Sequence, residues 1–497
     1  MISSLWNTNG APLLIQSSAS LNQITISSRF NRFQLQPSTA LARALLKLSA
    51  SNLNTNTSSD GGLTCLGFAS LLLSSGRTLL EQGYWMPNLI QEWNNGMHVV
   101  EQAMIQQSRR IALSDLESMK RIVISLLYPN VLSFTDTSDQ MQRNHMASIV
   151  LDALLSSLDS EHAEPCVQVL SVEGSYSTKS FSAPNIVLMD IPLPTNSHLQ
   201  LDTDYDETQG LILALFDSSL ESIAQLKTRV VKEKNENNTT SSSISTSSTP
   251  STPSTPSTPS TPFTPEESFI STMVNANVKV VASQKLIPRR LKRKLHASGI
   301  IALERLSLRY IRAVASISGA QVLGHTALHL LLHVTDTDDS NDTNDSNKNI
   351  DEIIPMFGKI KHVCIRRIGN KKFLQLKGFL DMPRPLSTLV LRSPGQHSLR
   401  ELEDSVQCAL RALPHLFRTP HVFPQDGVGE RNIAETLKLI EPSTQGIQLL
   451  INAFEKTAEI SNKKYMKNGL TITTLYIQEL KQAMAAAVAC IRTLNIE

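Results

Sequence analysis

The chain has 497 residues, of which 46 are Lys or Arg and 44 are Asp or Glu, so its net charge is +2. A chain of this length exceeds what one hydrophobic core normally serves, and about two to four domains are expected. The near balance of charge argues against a nucleic-acid partner, because domains that bind nucleic acid usually carry a clear basic excess.

The five cysteines are far apart and form no CxxC pair, which favours a reducing compartment over a disulfide framework. The start of the chain, MISSLWNTNGAPLL, has neither the basic segment nor the apolar segment of a signal peptide. The longest apolar runs fall well short of the roughly 20 residues that a membrane helix needs. The sequence therefore predicts a soluble, cytoplasmic protein with no membrane contact.

Helical patterns dominate the N-terminal part, in PSTALARALLKLSASN (37–52) and in the run from Leu66 to Gly83. The stretch SSDGGLTC (58–65) leads into the second run and carries one carboxylate, Asp60, ahead of two glycines. Two interpretations stay open. This stretch is either a phosphate-binding loop with a catalytic aspartate or a helix cap with a flexible approach.

The middle of the chain contains a low-complexity tract, 235–265, in which STP units repeat. It offers no apolar face, and a proline at every third residue favours an extended, solvated chain. The tract is either a neutral spacer or a target of proline-directed kinases. The stretches NIVLMDIPL (185–193) and GLILALF (210–216) before it read as strands, so the tract interrupts a folded domain.

The segment after the tract alternates between strand and helix patterns. The stretches are NVKVVA (277–282), PRRLKRKLH (288–296), GIIAL (299–303), LSLRYIRAVASIS (306–318) and AQVLG (320–324). In the second helix, Leu308, Ile311 and Ala315 fall on one predicted face, and Gly319 suits a C-cap. This alternation predicts a small α/β domain with a parallel element.

Charged and metal-binding patterns in this region have competing interpretations. His325, His329 and His333 are spaced four apart, as on a metal-binding helix face, but leucines fill the gaps and no HExxH glutamate is present. The acidic stretch 336–351 is similar to a calcium loop, except that asparagines replace its glycine and its bidentate glutamate. A basic cluster either contacts acidic clients or is a solvated helix face; it comprises Arg289, Arg290, Lys292, Arg293 and Lys294.

The C-terminal stretch ELKQAMAAAVACIRTL (479–494) carries one apolar stripe at helical spacing. The stripe consists of Leu480, Met484, Ala487, Ile491 and Leu494. An all-helical part built from both ends of the chain, with the α/β part inserted between them, is the natural arrangement.

The order of these motifs resembles that of group II chaperonins. SQKLI, GIIALERL and SGAQVLG follow the order of the family's apical TEKG-like turn, I-x-A-I-R-R strand and G-A turn. PSTALARALLKLSAS with SSDGGLT resembles its HP-A-A-K-x-L helix and GDGTT loop, and ELEDSVQCALRAL resembles its H-D-A-L helix. IQSSASL (15–21) and the altered nucleotide motifs are similar to the divergent McKusick–Kaufman/Bardet–Biedl chaperonin-like proteins.

The resemblance implies an α+β multidomain fold with nested architecture. A helical equatorial domain would come from both termini, followed by a small intermediate domain and an inserted α/β apical domain. The implied segments are equatorial 1–128 and 429–497, intermediate 129–170 and 369–428, and apical 171–368. The STP tract falls where the family carries its built-in lid, which implies an apical domain without a working lid.

The resemblance also assigns a nucleotide pocket for ATP and Mg. Asp60 would bind Mg and, with Asp404 on the H-D-A-L helix, serve hydrolysis. Gly61, Gly62 and Thr64 would hold phosphates, and Gly427 and Glu430 correspond to the adenine-side loop in FPQDGVGERNIAETL. In the alternative, purely structural interpretation, Asp60 caps a helix and Asp404 lies on a solvated face.

Other pocket positions have changed. Gln16 and Ser17 stand where the family has Asp-Gly, and its ribose-contacting aspartate falls at Thr473. The chain begins after the family's GPxGxxK loop. The loss of several charge-assisted contacts of about 1.5–3 kcal/mol each implies that ATP binding is weak or lost.

The function implied is that of a divergent chaperonin-like protein that binds unfolded or unassembled subunits. Its partners would be other chaperonin-like subunits, the cytosolic chaperonin and Bardet–Biedl complex subunits, and its location the cytoplasm with the centrosome or ciliary base. The alternatives are an ATP-hydrolysing ring subunit for general folding and a plain scaffold.

Overall fold

The structure, a computed structural model, describes residues 13–16, 24–27, 63–127, 137–158, 166–191, 210–221, 223, 265–333, 354–379, 385–424, 427–440, 444–464 and 470–494. The chain divides into two compact units, the first made of residues 1–183 and 389–497 and the second of residues 184–388. The predicted helix at 37–52 and the acidic stretch 336–351 lie outside the described residues, as does the STP tract up to Pro265, which begins a helix.

The described elements alternate between helical and strand-rich parts of the chain. The helices are α1 Leu63–Glu81, α2 Met86–Gln107, α3 Leu116–Leu127, α4 Thr137–Leu155, α5 Pro265–Asn275, α6 Arg289–Ala297, α7 Leu308–Ser318, α8 His325–His333, α9 Gln396–Arg418, α10 Val428–Lys438, α11 Gln445–Lys464 and α12 Thr473–Leu494. The strands are β1 Leu13–Gln16, β2 Ile24–Ser27, β3 Arg109–Arg110, β4 Cys166–Glu173, β5 Phe181–Pro184, β6 Ile186–Met189, β7 Leu211–Phe216, β8 Val278–Ser283, β9 Ile301–Leu303, β10 Val322–Leu323, β11 Gly358–Ile360, β12 His362–Ile368, β13 Lys371–Lys377, β14 Leu386–Ser393, β15 His421–Pro424 and β16 Leu470–Ile472.

Helices from the two ends of the chain share one core in the first unit. Helices α1, α2, α10, α11 and α12 contribute to a single cluster of buried residues. The predicted stripe of α12 is confirmed for its described members, because Leu480, Met484, Ala487 and Ile491 are all buried. The rings of Phe68 in α1 and Phe454 in α11 meet with centroids 5.0 Å apart. Burial of side chains of this size contributes about 1.5–3 kcal/mol each, which explains why the apolar periodicity fixes this packing.

Helix α2 approaches its neighbours closely through glycines. A Cβ atom at Gly96 would lie 2.5 Å from Cδ1 of Leu450 in α11, and one at Gly76 would lie 2.8 Å from the Trp93 ring. The Trp93 indole N–H donates to the Gly446 carbonyl oxygen over 3.1 Å. These contacts connect α1, α2 and the start of α11.

A carboxylate strengthens the same junction. Glu92 accepts hydrogen bonds from the Tyr84 hydroxyl over 2.6 Å and from the Gly446 N–H over 2.8 Å. The hydrogen bond to Glu92 is the main cause that raises the pKa of Tyr84 to about 12, with smaller contributions from burial and from the Glu92 charge.

This shift predicts a pH dependence. Because the pKa of Tyr84 is higher in the folded protein than in the unfolded chain, the stabilisation is complete below the unfolded value of about 10. It is lost as the pH rises from there through about 12. We expect Glu92→Gln to lower the tyrosine titration midpoint in an ultraviolet difference spectrum. An unchanged titration curve in this variant, with the fold intact, would contradict the assigned bond.

A second cluster of the first unit joins α3, α4 and α9 to strands. It includes residues of the sheet β4–β14–β5 and of the sheet β16–β15–β3. All eight residues of β14 are buried, as expected for a central strand with covered faces.

The second unit is built on a parallel sheet, as the strand and helix alternation predicts. Strands β10, β7, β8 and β9 lie in that order and are parallel, and β11 joins β7 antiparallel. From Val280 to Ala282, successive β8 residues alternate between the two faces of the sheet. Val280 and Ala282 enter the cluster that contains α7, whereas Val281 enters the cluster that contains α5, α6 and α8, as does Val278, which precedes a register shift between β7 and β8. Both faces of the sheet are therefore covered.

The prediction that Leu308 lies on the buried face of α7 is wrong. Leu308 is 62% exposed, and the buried residues are instead Ile311, Val314 and Ile317, with Ala315 half-buried. Successive steps of three residues drift by about 60° around a helix, so the buried stripe turns away from the position of Leu308. The predicted C-cap is confirmed, because Gly319 adopts a left-handed φ of 70°.

The hairpin β12–β13 pairs with β6 in a separate antiparallel sheet of the second unit. Strand β13 therefore belongs to the second unit. This long-range pairing leaves no mark in the local pattern of either segment.

None of the described helices combines the length and the hydropathy that a membrane crossing needs.

Candidate functional site

The loop assigned to phosphate and Mg lies outside the described part of the chain. This applies to Asp60, Gly61 and Gly62 and to the side chain of Thr64, whose backbone belongs to the first turn of α1. A helix that begins at Leu63 agrees with both interpretations of SSDGGLTC, because a phosphate loop and a helix cap each precede a helix N-terminus. The roles of these four residues, including the Mg role of Asp60, stay predictions.

Gly427 is the N-cap of α10 and has a left-handed backbone, with φ 84° and ψ −8°. Residues with a Cβ rarely adopt this conformation, so the backbone at the start of α10 favours glycine. Two residues later, a Cβ at Gly429 would lie 2.4 Å from the Phe423 ring. Gly427 thus has a conformational role, and Gly429 in α10 has a packing role.

Glu430, in the first turn of α10, has no solvent exposure. Its Oε1 accepts hydrogen bonds from the Tyr476 hydroxyl over 3.0 Å and from the Ser461 hydroxyl over 3.1 Å. The Tyr476 ring in turn packs on Phe423, with centroids 5.8 Å apart. Glu430 therefore connects α10 to α11 and α12 inside the core.

The two hydroxyl partners of Glu430 were not found from the sequence. Ser461 and Tyr476 stand 31 and 46 residues from Glu430 along the chain. Tyr476 is one of seven tyrosines, and its position between the apolar residues Leu475 and Ile477 of α12 was the only signal available. A buried tyrosine normally finds a partner for its hydroxyl.

Asp404 lies in α9 and is half-buried. The carboxylate next to it, Glu403, accepts a hydrogen bond from the Ser171 hydroxyl of β4 over 2.7 Å. Helix α9 contributes to the second hydrophobic cluster, whereas α10 with Glu430 contributes to the first. Asp404 and Glu430 are thus held by different parts of the first unit, and the catalytic role of Asp404 stays a prediction.

Thr473 begins α12 and is buried, with 2% exposure. Strands β15 and β16 are antiparallel, and Ile472, the residue before Thr473, is opposite Val422 at one end of the ladder. Gly427 comes after Pro424, which is opposite Leu470 at the other end. The position matched to a ribose-contacting aspartate therefore lies at the opposite end of the β15–β16 pair from Gly427.

The binding of ATP and Mg stays a prediction. Gly427 has no side chain, and the hydrogen bonds described for Glu430 are internal to the core. Within the described ranges, no group of three His, Cys, Asp or Glu residues is placed to hold a metal. His325, which begins α8, is among the residues to which this applies. His329 and His333 are not, because their side chains lie outside the described residues. No step proposed below depends on ATP or Mg.

The fold of the second unit, with a parallel sheet covered by helices and an attached antiparallel sheet, defines a mixed α/β lobe of the kind expected from the resemblance. Residues 266–492 match the model of the TCP-1/cpn60 chaperonin family. The resemblance noted in the sequence is confirmed by this match, which covers the C-terminal part of the chain.

Three curated relatives are similar to this chain in sequence. The chain is 24% identical to the molecular chaperone MKKS of Mus musculus over 162 residues, which is 33% of this chain and 24% of that protein. It is 23% identical to thermosome subunit alpha of Archaeoglobus fulgidus over 223 residues, 44% of this chain and 36% of that protein. It is 29% identical to T-complex protein 1 subunit eta of Tetrahymena pyriformis over 109 residues, 22% of this chain and 20% of that protein. The matched segments thus span about a fifth to a third of the relatives' lengths.

Proposed function

We propose that this protein is a chaperonin-like chaperone that holds unfolded or unassembled protein subunits on its second unit and does so without nucleotide. In this proposal the second unit is the apical, client-binding domain, and the first unit combines the equatorial and intermediate domains. The match of residues 266–492 to the chaperonin family model supports the proposal, as does the similarity to a protein named a molecular chaperone.

The observation that carries the proposal is a pair of exposed leucines in the second unit. Leu286 is 44% exposed and Leu308 is 62% exposed. The segments that carry them run side by side, because the Arg305 N–H donates to the Lys285 carbonyl oxygen over 3.3 Å. Capture of exposed apolar surface needs no catalytic group, so it does not depend on the altered nucleotide motifs.

The finer assignments extend the proposal. The clients would be subunits awaiting assembly, among them those of the Bardet–Biedl complex. Other chaperonin-like subunits and the cytosolic chaperonin would be partners, and the place of action would be the cytoplasm at the centrosome or ciliary base. These assignments rest on the resemblance and on the similarity to MKKS.

An aggregation assay tests the proposal. Denatured citrate synthase is diluted into buffer with the full chain, with and without Mg-ATP, and light scattering is followed. We expect the chain to suppress scattering equally in both conditions, and Leu286→Ser with Leu308→Ser to remove most of the effect. Leu439→Ser is the matched control, because Leu439 is 81% exposed but lies in the first unit.

Three results would contradict the proposal. Failure of the unmodified chain to suppress scattering would favour a plain scaffold. Suppression that requires ATP, together with ATP turnover that Asp404→Ala removes, would favour the ATP-hydrolysing ring subunit. An equal loss of suppression in the control variant would remove the second unit as the client-binding part.

A further inference from the structure

Two helices of the second unit begin side by side at the edge of the parallel sheet formed by the carboxyl ends of β8 and β9. Helix α6 follows β8 and begins at Arg289, and α7 follows β9 and begins at Leu308. The connecting loops are bonded to each other, since Arg305 N–H donates to Lys285 O over 3.3 Å and Leu306 N–H donates to Ser283 O over 3.1 Å. Both helix N-termini, which carry partial positive charge, therefore lie at this edge.

The side chains exposed at this edge form a surface that we call the arginine face. Its members are Lys285, Leu286, Arg289, Arg305, Leu308 and Arg309, all of which are exposed. Neither α6 nor α7 has an acidic residue in its first turn. Cations at a helix N-terminus oppose the helix dipole, so this arrangement lowers the stability of the fold. An anion bound at the face would relieve that repulsion.

The acidic residues nearby are engaged in other bonds. Glu304 accepts hydrogen bonds from the Ile287 N–H over 3.1 Å and from Lys292 Nζ over 3.0 Å. Burial acts to raise the pKa of Glu304, but the bonds from Lys292 and Ile287 and the charges of Lys292 and Arg305 outweigh it, and the pKa is lowered. Glu304 is thus ionised at neutral pH and engaged by Ile287 and Lys292.

Other acids pair with the opposite side of α6. Lys294 lies 2.9 Å from Glu267 and 3.4 Å from Glu266, and Arg290 lies 3.2 Å from Glu266. Among the described residues, no acid lies within ion-pair distance of Lys285 or Arg289. The α6 cations thus divide into three sets: Arg290 and Lys294 pair with α5, Lys292 pairs with Glu304, and Arg289 and Arg293 are exposed.

We propose that the arginine face binds an acidic amphipathic segment of a client protein, in which several carboxylates flank one or two large apolar side chains. The proposal rests on the proposed function and names the class of client segment that the second unit selects. The carboxylates complement the arginines and both helix N-termini, and the apolar side chains cover Leu286 and Leu308.

The composition of the face favours a peptide over a nucleic acid. It contains two leucines and no aromatic side chain on which a base could stack. The net charge of the chain, +2, is also low for a nucleic-acid binder.

Fluorescence anisotropy with labelled peptides tests the proposal on the full chain. The probe is a short peptide of Glu, Leu and Ser. Its comparisons are the same peptide with Lys in place of Glu, the same peptide with Ser in place of Leu, and single-stranded DNA of equal charge. We expect the Glu/Leu probe to bind at least about tenfold more tightly than either altered peptide, and its affinity to fall as salt rises from about 50 to 300 mM, because salt screens exposed charges.

Variants locate the binding. We expect Lys285→Glu with Arg289→Glu to weaken the Glu/Leu probe about tenfold or more without lowering the unfolding temperature, because an acid near a helix N-terminus is favourable. Leu286→Ser with Leu308→Ser should weaken it and keep its salt dependence. Arg431→Glu with Lys456→Glu makes the same change in net charge at exposed positions of the first unit and should leave binding unchanged.

Three outcomes would overturn the proposal: equal binding of the Lys peptide, an equal effect of the control pair, or loss of DNA binding but not of peptide binding in the face variants. Failure of this inference is separable from failure of the proposed function. Normal suppression of citrate synthase aggregation with no selectivity for the acidic peptide would refute the arginine face as a selective site and leave the chaperone function standing.

Discussion

Replacing Trp93 with alanine is expected to lower the free energy of unfolding of the first unit by about 3–5 kcal/mol, the range for removing a large aromatic side chain from a core. Trp93 is fully buried and packs against Gly76, and its indole N–H bonds to Gly446. The variant would lose the contacts that join α1, α2 and α11 at once. Urea unfolding followed by far-ultraviolet circular dichroism measures the change.

Trp85 supplies the matched control for this prediction. It lies at the start of α2 and is 66% exposed, so Trp85→Ala should change the unfolding midpoint little. If the two variants shifted the midpoint equally, the packing described around Trp93 would be wrong.

Replacing Glu430 with alanine is expected to lower the free energy of unfolding by about 2–4 kcal/mol, because two buried hydroxyl groups would lose their acceptor at about 1–2 kcal/mol each. These are the hydroxyls of Ser461 and Tyr476. Glu430→Gln keeps an acceptor oxygen and should recover part of the loss. Chemical unfolding of the three proteins, compared at the same pH, gives the values.

This experiment separates a structural role of Glu430 from a nucleotide role. Glu435→Ala, at an exposed position of the same helix, is the control and should be nearly neutral. Should Glu430→Ala leave stability unchanged while abolishing ATP binding, the carboxylate would be an adenine-side contact, and the core role assigned here would be incorrect.

Local pattern in the sequence carries much of the fold. The β-branched run of β8, the basic amphipathic α6 and the Gly319 cap of α7 are each visible within a few residues, and the structure has all three. The stripe of α12 is equally local. These predictions hold because burial on one face imposes a period on the sequence wherever an element is regular.

Features that depend on distant contacts were not visible. Leu308 looked like a core residue because its apolar character fits the period, but it begins α7 at the solvent-exposed edge. The pairing of β13 with β6 joins segments far apart in the chain, and the register follows only from the assembled sheet.

The positions of the candidate site were predictable from the sequence, but their contacts were not. The resemblance places Gly427 in a glycine loop, and its left-handed φ gives a physical reason for glycine at this position. Glu430 was assigned to a nucleotide by resemblance, and only the structure shows its hydroxyl partners in α11 and α12. The basic residues of α6 were noticed as one cluster, but only the structure separates those paired with Glu266 and Glu267 from those of the arginine face.

Hydrogen–deuterium exchange of the full chain, with and without a permanently unfolded client such as reduced carboxymethylated α-lactalbumin, tests the central claim most directly. We predict slower amide exchange with client in the loops that lead into α6 and α7 and in the first residues of these helices, residues 283–289 and 304–309, whether or not Mg-ATP is present. Client binding that leaves these loops unchanged and protects α1, α2 and α12 instead would contradict the account.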